Sequence, residues 1–412
     1  HQPSAFYGVN SRGLGSGTID QTGWNKGLYE LATNSEVCAY FDQVMQQQFL
    51  PSGQVRYFPM CEYQEGGRFV SLVSNAGYQV QANKVVDATY MHVAVPSMGD
   101  PSYAVSSEAE CVPPNQLPRV SGQFQRYVVV GAGKTGMDAC LWLLKNEVDP
   151  AAITWIMPRD SWLLDRATIQ PGTASSRNSA LGFFAQQVTA IVEADSIDDL
   201  FERLDACGNL LRLDKNINPT MYRCATVTKL ELEQLRRIDH IVRLGRVQSI
   251  DADRIVLDEG TIPTDASTLH VDCSADGLER RPAVEVFENG KITLQSLRTC
   301  QQVFSAAFIG HIEAAYEDEA MKNQLCTPVP HPDSNIDWLN TTLTNSLNQA
   351  KWLQDEGLRK WLLASRLDGF RGLLAAMTTA DPDTQAAVRT MGENTLHSIV
   401  KLQSFLAELD PG

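Results

Sequence analysis

The sequence predicts an α/β fold in which three-layer units with parallel sheets are combined with β-meanders and a helical carboxyl-terminal region. Three observations predict this fold. A β-prone run, Tyr127–Val130, leads directly into a glycine-rich turn and a helical pattern. Short β-prone runs are grouped over residues 54–89 and again over 241–275, and each group ends in a longer apolar run. From Asn335 onward the spacing of apolar residues is helical.

Length and charge limit the class of protein. A chain of 412 residues is too long for one ordinary core and predicts two or three domains. The net charge of -15 would repel a phosphate polymer, so no nucleic-acid partner is expected. No run approaches the roughly 18 apolar residues of a membrane span, so no membrane partner is expected either. The oligomeric state is left open.

The nine cysteines are widely spaced and form no C-x-x-C pair. Several of them lie within apolar runs. This pattern is typical of reduced thiols in the cytoplasm rather than of a disulfide framework or a zinc site. The sequence therefore predicts a cytoplasmic protein without a metal centre, because no His, Cys or carboxylate cluster has the spacing of metal ligands.

The first 120 residues combine one helix with a first β-meander. Residues 35–49 have the apolar spacing of an amphipathic helix. Three short strands, separated by turns that contain glycine, are predicted at 55–58, 68–73 and 78–81. The apolar run Lys84–Thr89 then predicts a buried strand.

A strand–turn–helix–strand unit occupies the middle of the chain. The strand Tyr127–Val130 is followed by the glycine-rich turn, a helix over Met137–Lys145 and a strand over Ile153–Met157. These elements fit within about 30 residues, as a βαβ unit requires. Residues 161–240 are then predicted to be mainly helical and to form an insertion.

Two capping boxes support helices within this insertion. Ser196 stands three residues before Asp199, and Thr228 stands three residues before Glu231. A hydroxyl and a carboxylate at this spacing can each bond the other residue's backbone N–H at the start of a helix. The insertion is longer than a crossover between strands needs, and we expect it to cover the active cleft.

A second β-meander follows the insertion and resembles the first. Its short strands are predicted at 241–244, 247–250 and 254–257, and the buried strand after them at 269–275. Each buried strand ends in the pattern Asp-x-Ser/Thr. The agreement in order, length and terminal residues indicates a weak internal duplication.

The motif Gly131-Ala132-Gly133-Lys134-Thr135-Gly136 is the strongest chemical signal in the sequence. A pyrophosphate needs backbone N–H donors and the positive end of a helix dipole, with no side chain in the way. Gly131 would permit the tight turn, Gly133 the close approach of phosphate, and Gly136 the packing of helix against strand. The motif therefore predicts a Rossmann-type dinucleotide-binding domain. Lys134 can either pair with a phosphate or lie in solvent.

The end of the second strand of the βαβ unit indicates which dinucleotide is bound. Sites for NAD usually carry Asp or Glu there for the ribose 2′-hydroxyl, whereas Arg accommodates the 2′-phosphate of NADP. In this sequence Arg159 and Ser161 follow the strand and favour NADP(H). Asp160 lies between them and keeps NAD open as the alternative.

Three parts of the sequence carry a family resemblance: residues 127–138, residues 153–159 and the two meanders with their Asp-terminated strands. Together they resemble the flavoproteins that have two dinucleotide-binding domains. Within that superfamily the sequence is most similar to flavin-containing monooxygenase-like oxidoreductases. The resemblance covers most of residues 1–315. It implies a remainder of an FAD-binding-like domain over 1–120, an NAD(P)-binding domain over 121–277 with the insertion 161–240, and a return to the FAD-like domain with carboxyl-terminal helices over 278–412.

The resemblance also implies six residues that contact a cofactor. In the family such residues lie in a segment that passes the flavin, here His1–Tyr7, at two strand ends, and at a last strand and turn, here residues 308–312. The six residues are Gln2, Ser4, Tyr7, Thr89, Ser274 and Gly310.

The sequence departs from the family pattern in three places that concern flavin binding. The amino-terminal FAD-binding G-x-G-x-x-G is absent from this sequence, Tyr90 stands where the family has Gly, and no F-x-G-x-x-x-H precedes Tyr127. Either the chain is a fragment of a protein whose preceding part binds FAD, or it is a shortened protein that no longer holds flavin tightly. The absence of an initiating Met favours a fragment.

The function that the sequence predicts is that of an NADPH-dependent flavoprotein oxidoreductase, monooxygenase-like, passing hydride from NADPH to FAD and onward to a small organic substrate or oxygen. The alternative is a non-catalytic NADP(H)-binding sensor or partner subunit. No catalytic side chain is identified. His311 can be an acid or base, although a histidine beside an apolar run is more often packed and hydrogen-bonded.

Overall fold

The computed structural model describes residues 2–122, 124–171, 180–377 and 382–409. It shows a mixed α/β protein with parallel and antiparallel sheets and a helical carboxyl-terminal region. In chain order the strands are β1 Cys61–Gln64, β2 Arg68–Ser71, β3 Gly77–Gln79, β4 Val85–Asp87, β5 Ala104–Val105, β6 Glu110–Val112, β7 Arg126–Val130, β8 Ile153–Ile156, β9 Ser161–Asp165, β10 Met221–Val227, β11 His240–Val242, β12 Val247–Ile250, β13 Arg254–Leu257, β14 Gly260–Pro263, β15 Thr268–Asp272, β16 Phe287–Glu288 and β17 Lys291–Thr293.

The helices are concentrated in the second half of the chain. They are α1 Asn34–Val44, α2 Lys134–Lys145, α3 Ala180–Glu193, α4 Ile197–Ala206, α5 Lys229–Leu235, α6 Gln302–Ala315, α7 Glu319–Leu325, α8 Asn335–Gln354, α9 Glu356–Ala364, α10 Arg371–Met377 and α11 Pro382–Leu409. Within the described ranges, none of them has both the length and the apolar character that a membrane crossing requires.

A five-stranded parallel sheet forms the centre of the fold, in the order β11-β8-β7-β15-β6. Its strands are apolar on both faces, as expected where neither face meets water. Val129 and Trp155 point into a core shared with α2 and α5. Val128 and Ile156 point to the other face, where β12 and β13 cover the sheet. The predicted strands and helix of the βαβ unit are confirmed as β7, α2 and β8.

Both meanders are present, but each differs from its prediction in one strand. The first is the antiparallel sheet β1-β2-β3, and the second is β12-β13-β14 with β5 added alongside β12. The strand predicted at 55–58 is wrong, because Phe58 instead packs its ring on Phe69 and Tyr78, with centroids 4.9 and 5.4 Å away. The run predicted at 241–244 forms β11, which follows α5 and returns to the central sheet beside β8.

The two strands that follow the meanders differ in burial. β15 lies between β7 and β6, and all five of its residues are buried. β4 pairs with β17 in a separate sheet of order β16-β17-β4, where it is an edge strand. The predicted burial of residues 84–89 is wrong for this reason, and Val86 is 55% exposed.

The prediction that residues 161–240 are mainly helical is only partly correct. α3, α4 and α5 lie in this region, but β9 and β10 also form a two-stranded parallel sheet. β9 is buried at four of its five positions, so buried and exposed residues do not alternate along it. A short run of this kind cannot be distinguished from a buried helix by its periodicity. Residues 172–179 lie outside the described part of the chain.

One predicted capping box is confirmed and the other only in part. Thr228 and Glu231 form a reciprocal capping box at the start of α5. Ser196 accepts the backbone N–H of Asp199 at the start of α4, but the Asp199 carboxylate accepts the N–H of Asp195 rather than that of Ser196.

The helices of the insertion and those of the carboxyl-terminal region share one core. Trp162 and Phe201 pack with Trp338 of α8 and with Phe405 of α11. A further core joins α6 to α8 and α9 around Trp352. Residues from distant parts of the chain therefore enclose the space between the insertion and the carboxyl-terminal helices.

The strand and turn predicted over residues 308–312 are wrong. This segment lies inside α6, and Phe308, Ile309 and Ile312 pack into its helical core. The run Phe-Ile-Gly-His-Ile is short and apolar, and such runs do not distinguish a strand from a buried helix. Gly310 therefore lies in mid-helix, on an exposed face, and not in a turn at a strand end.

Candidate functional site

The glycine loop connects β7 to α2 and requires glycine at two positions. Gly131 has φ +124°. A Cβ atom there would lie 2.5 Å from the carbonyl oxygen of Cys273, the residue that follows β15. A Cβ atom on Gly136 would lie 2.1 Å from the carbonyl oxygen of Gly131. Trp155 fixes that same carbonyl by donating from Nε1 at 2.8 Å. The loop thus packs tightly against its own helix and against both neighbouring strands.

Gly133 differs from these two glycines because it faces open space. A Cβ atom built on it meets nothing within 4 Å among the described residues. Gly133 is also the N-cap of α2, and no side chain caps the helix there. The first N–H groups of α2 and an open approach therefore coincide, which is the donor set that a pyrophosphate requires. The residues present fit a bound dinucleotide at this position.

The remaining residues of the loop have the following environments. Ala132 is buried, and Thr135 is exposed on the first turn of α2. Lys134 forms an ion pair with Asp138 one turn further along the helix. The Lys134 ammonium is thus held at the helix start, next to the open face of Gly133.

The carboxyl ends of four parallel strands lie at one edge of the central sheet. Gly131 follows β7, Arg159 follows β8, Arg243 follows β11 and Ser274 follows β15. The structure therefore brings together the glycine loop, both residues predicted at the end of the second strand, and Ser274. Parallel α/β sheets bind ligands at this edge.

Asp160 and Ser161 are both buried at this edge and both are bonded. Asp160 accepts two hydrogen bonds from Arg243, at 2.7 Å from Nε and 3.0 Å from Nη2. Ser161 donates from its hydroxyl to the carbonyl of Trp162 at 3.0 Å. The sequence reasoning missed Arg243, although its position directly after an apolar run of the second meander was a usable signal.

Arg159 binds the carboxylate of Asp333, which precedes α8. Its Nη1 lies 2.8 Å from Asp333 Oδ2, and its Nη2 donates to the carbonyl of Thr220 at 2.7 Å. Arg223 of β10 donates from Nε to the same carboxylate at 2.6 Å. Burial acts to raise the pKa of Asp333, but the guanidinium groups of Arg159 and Arg223 outweigh it and lower the pKa to about 2.

The two Asp-x-Ser/Thr strand ends have the same local structure. Asp87 accepts from the backbone N–H and the hydroxyl of Thr89, at 3.0 and 2.9 Å. Asp272 accepts in the same way from Ser274, at 3.1 and 2.6 Å. This agreement supports the predicted duplication. Both hydroxyls donate to their own aspartate, so a cofactor would meet them only as acceptors.

A cavity of about 400 Å³ lies between residues 2–7, α3, β10, the loop before α6, α8 and the loop before α10. Gln2 and Tyr7, two of the residues predicted beside the flavin, line it. Ser4 does not, because it is buried and donates from both its N–H and its hydroxyl to the carbonyl of Glu30. Burial raises the pKa of the Tyr7 phenol. His1 lies outside the described residues.

The cavity has aromatic walls with a few amide side chains among them. The aromatic side chains of the wall are Phe6, Tyr7, Phe183, Phe184, Tyr222, Phe304, Trp338 and Phe370. The amide side chains of Asn209, Gln301 and Asn345 also belong to the wall, but one oxygen of each is buried away from solvent and has no hydrogen-bond partner within the described ranges.

The expectation that all cysteines are reduced is wrong for one pair. Cys224 of β10 and Cys300 in the loop before α6 form a disulfide, and both line the cavity. They stand 76 positions apart in the chain, so no spacing motif indicated the pairing. The other seven cysteines are free, and Cys140, Cys273 and Cys326 among them are buried.

His311 packs against Trp361, with the two rings stacked at a centroid distance of 4.7 Å. Burial lowers its pKa, so the ring is neutral at neutral pH. His311 is absent from the wall of the cavity described above. These contacts favour a packing role over the acid–base role.

The structure thus shows an α/β protein with a glycine-rich loop between a strand and a helix, and with a separate cavity. No model of a known protein family matches it. The chain is 55% identical over 379 residues to the uncharacterized protein Rv2000 of Mycobacterium tuberculosis (strain ATCC 25618 / H37Rv), covering 92% of this chain and 70% of that protein. The uncharacterized protein Mb2023 of Mycobacterium bovis (strain ATCC BAA-935 / AF2122/97) is similar to the same extent. The chain belongs to the family of these mycobacterial proteins.

Proposed function

We propose that residues 121–277 form a Rossmann-type domain that binds NADP(H) at the glycine loop, between FAD-domain-like parts over 1–120 and 278–412. The observation that carries the proposal is Gly133, whose open face coincides with the uncapped start of α2. The strand order also supports it. β8 and β15 pair with opposite edges of β7, so the order of the strands reverses at the loop that follows β7. Parallel α/β sheets bind ligands at such a reversal.

The surroundings of β8 support NADP(H) over NAD. The acidic residue that could accept a ribose 2′-hydroxyl, Asp160, is buried and already neutralised by Arg243. Arg159 is 36% exposed at its side chain, and its only carboxylate contact in the described structure is Asp333. A 2′-phosphate would compete with Asp333 for this guanidinium, and phosphate carries more charge than a carboxylate.

We further propose that the protein acts as a cytoplasmic, monooxygenase-like flavoprotein oxidoreductase. NADPH and FAD would supply the redox chemistry, moving two electrons to a small organic substrate or to oxygen. Gln2 and Tyr7 support this proposal, because these two of the six residues that the family resemblance implies as cofactor contacts line the cavity. FAD would require a pyrophosphate loop of its own besides the one at residues 131–136.

The cavity is the proposed substrate site. Its aromatic wall would bury an apolar or aromatic body, and the amide side chains of Asn209, Gln301 and Asn345 are among the few polar groups of that wall. A small substrate with an aromatic or aliphatic frame meets this condition.

A second candidate is a non-catalytic NADP(H)-binding sensor or partner subunit that has lost flavin binding. Three positions of the flavin site favour it. Thr89 and Ser274 use their hydroxyl protons on neighbouring aspartates, and Gly310 lies in a helix. Binding of NADPH without any oxidation of it would select this candidate.

Calorimetric titration of the chain with NADPH and NADH, with and without added FAD, tests the proposal. We expect NADPH to bind more tightly than NADH, and FAD to permit NADPH oxidation. Gly133→Leu should abolish binding without unfolding the protein, because its side chain would enter open space. Gly392→Leu in α11, which also has open space around it, is the matched control and should bind normally.

The outcomes separate the candidates. Binding with FAD-dependent oxidation supports the oxidoreductase, and binding alone supports the sensor. If neither nucleotide binds to the folded chain, or if Gly133→Leu binds as well as the control variant, the glycine loop has only a structural role.

A further inference from the structure

The disulfide Cys224–Cys300 lies at two irregular places in the backbone. Cys224 has φ +55° in β10, where the pairing with β9 shifts register between Tyr222 and Thr226. Thr299, next to Cys300, has φ +40°. Residues other than glycine rarely adopt this conformation, and it is concentrated at functional sites. Both cysteines line the cavity.

Neither cysteine of the disulfide is fully buried. Both cysteines are half-buried, and both line a cavity large enough for a small molecule. By contrast Cys140, Cys273 and Cys326 are buried, and loss of hydration raises the pKa of each thiol. Thiolate is the reactive form of cysteine, so these three are inert.

An imidazole lies beside one sulfur of the pair. His331 Nδ1 is 3.8 Å from Cys300 Sγ. Burial, followed by the charge of Arg223, lowers the pKa of His331 to about 4, so the ring is neutral at neutral pH. A neutral ring that touches Cys300 can donate N–H to a thiolate or accept S–H from a thiol. Cys300 is therefore the better leaving group of the pair.

We propose that Cys224–Cys300 is a redox-active disulfide that undergoes thiol–disulfide exchange with low-molecular-weight thiols entering the cavity. The inference is independent of nucleotide binding, since it depends only on the cavity wall and on the contact of His331 with Cys300.

The exchange balances with two equivalents of thiol. A thiolate attacks Cys224 Sγ and forms a mixed disulfide there, while the bond to Cys300 breaks and its electron pair leaves on Cys300 Sγ. A second thiolate attacks the sulfur of the bound thiol, which releases Cys224 as thiolate and forms the external disulfide. The two thiols supply the two protons, and His331 can pass one of them to Cys300. The protein cystine gains two electrons and the external thiol loses two.

Reduction would also alter the cavity. The disulfide joins β10 to the loop before α6, and both of these segments form part of the cavity wall. Without this covalent link the two segments are free to separate. The proposed site would therefore couple the thiol redox state to ligand access.

The test uses the full chain, purified without reductant and equilibrated with increasing dithiothreitol under native conditions. Thiols are then trapped with N-ethylmaleimide and the protein is digested with trypsin. Cleavage after Arg223, Lys229, Arg298 and Lys322 places the two cysteines on peptides 224–229 and 299–322. We expect these peptides to be linked in the oxidised protein and separately labelled after native reduction, while Cys140 and Cys273 stay unlabelled.

A variant tests the role of His331. His331→Gln should slow native reduction about tenfold, because the leaving Cys300 thiolate loses its neighbour. His397→Gln, at an exposed position in α11, is the control and should not change the rate. The proposal is overturned if the peptides are unlinked in the oxidised protein, or if the link resists millimolar dithiothreitol until the chain is unfolded in guanidinium.

Discussion

Asp333 organises the charged residues between β8, β10 and α8. It accepts hydrogen bonds from Arg159 and Arg223, and its carboxylate lies 3.8 Å from Arg280. One carboxylate thus balances several guanidinium groups close to the proposed 2′-phosphate position. Removal of this carboxylate should therefore lower stability, and removal of the Arg159 guanidinium should change nucleotide preference.

The first effect is a loss of stability that depends on pH. Asp333 has a folded pKa of about 2, below its ordinary value of roughly 3.9, so its contribution is present above pH ~4 and is lost as the pH falls through ~2. Asp333→Asn should cost about 1–3 kcal/mol near neutral pH, the range for hydrogen bonds to charged groups. Urea unfolding at pH 7, 4 and about 2.5 measures the difference. A difference that does not shrink on acidification would contradict this role for Asp333.

Arg159 makes the second effect testable at one residue. If its guanidinium binds the 2′-phosphate, Arg159→Ala should weaken NADPH binding by about tenfold or more and leave NADH binding nearly unchanged. The ratio of the two dissociation constants corrects for any structural damage, because that damage would affect both nucleotides. Arg159→Lys should recover only part of the preference, since Lys cannot bind phosphate with a planar fork. An unchanged ratio in Arg159→Ala would exclude Arg159 from nucleotide selection.

At the scale of single elements, α5 shows how local sequence signals and tertiary contacts combine. Thr228 caps this helix, and its hydroxyl also donates to the carbonyl of Trp24 at 2.8 Å. Glu231 of the same capping box forms a buried ion pair with Arg166. α5 thus connects the core of the central sheet to the part of the chain around Trp24.

Thr228→Ala should destabilise the protein by about 1–2 kcal/mol, at the upper end of the range for lost caps. The equivalent change in the exposed capping box of α1, Thr33→Ala, provides the control and should cost less, because that hydroxyl contacts only its own helix start. Thr228→Ser should restore most of the loss. Chemical denaturation of the three variants measures this order, and equal losses at the two caps would contradict it.

Elements with local signals were predictable from the sequence. β7, the glycine loop, α2 and β8 follow one another within a short stretch, and apolar spacing and glycine positions define each of them. α6 was mistaken for a strand because its apolar run is short and lies in a buried core. β9 and β10 were missed because they pair with each other across more than fifty intervening residues.

The residues of the candidate site were predictable only where local sequence carries a signal. The glycine loop and Arg159 could be predicted as site residues because one segment of the chain carries them. The bonds between Arg243 and Asp160 and between Cys224 and Cys300 join distant segments, and a single sequence contains no signal for such pairs. Gln2 and Tyr7 were found through family resemblance alone, and the structure places them on the cavity wall.

At the scale of the whole molecule, the glycine loop and the cavity belong to different layers. The loop lies at the edge of the central sheet, whereas the cavity is enclosed by the amino-terminal segment and by helices of the insertion and the carboxyl-terminal region. Arg159, Asp333 and Arg223 form a set of contacts from the end of β8 to β10, where Arg223 stands next to Cys224 of the cavity wall.

The central claim is that NADP(H) binds at the start of α2, and amide hydrogen exchange measured by mass spectrometry tests it most directly. With saturating NADPH we predict slower exchange in peptides that cover residues 131–138, because the first N–H groups of α2 would bind phosphate. Gly133→Leu should show no such protection. Protection confined to the cavity segments, or none at all in a chain that remains folded, would contradict the claim.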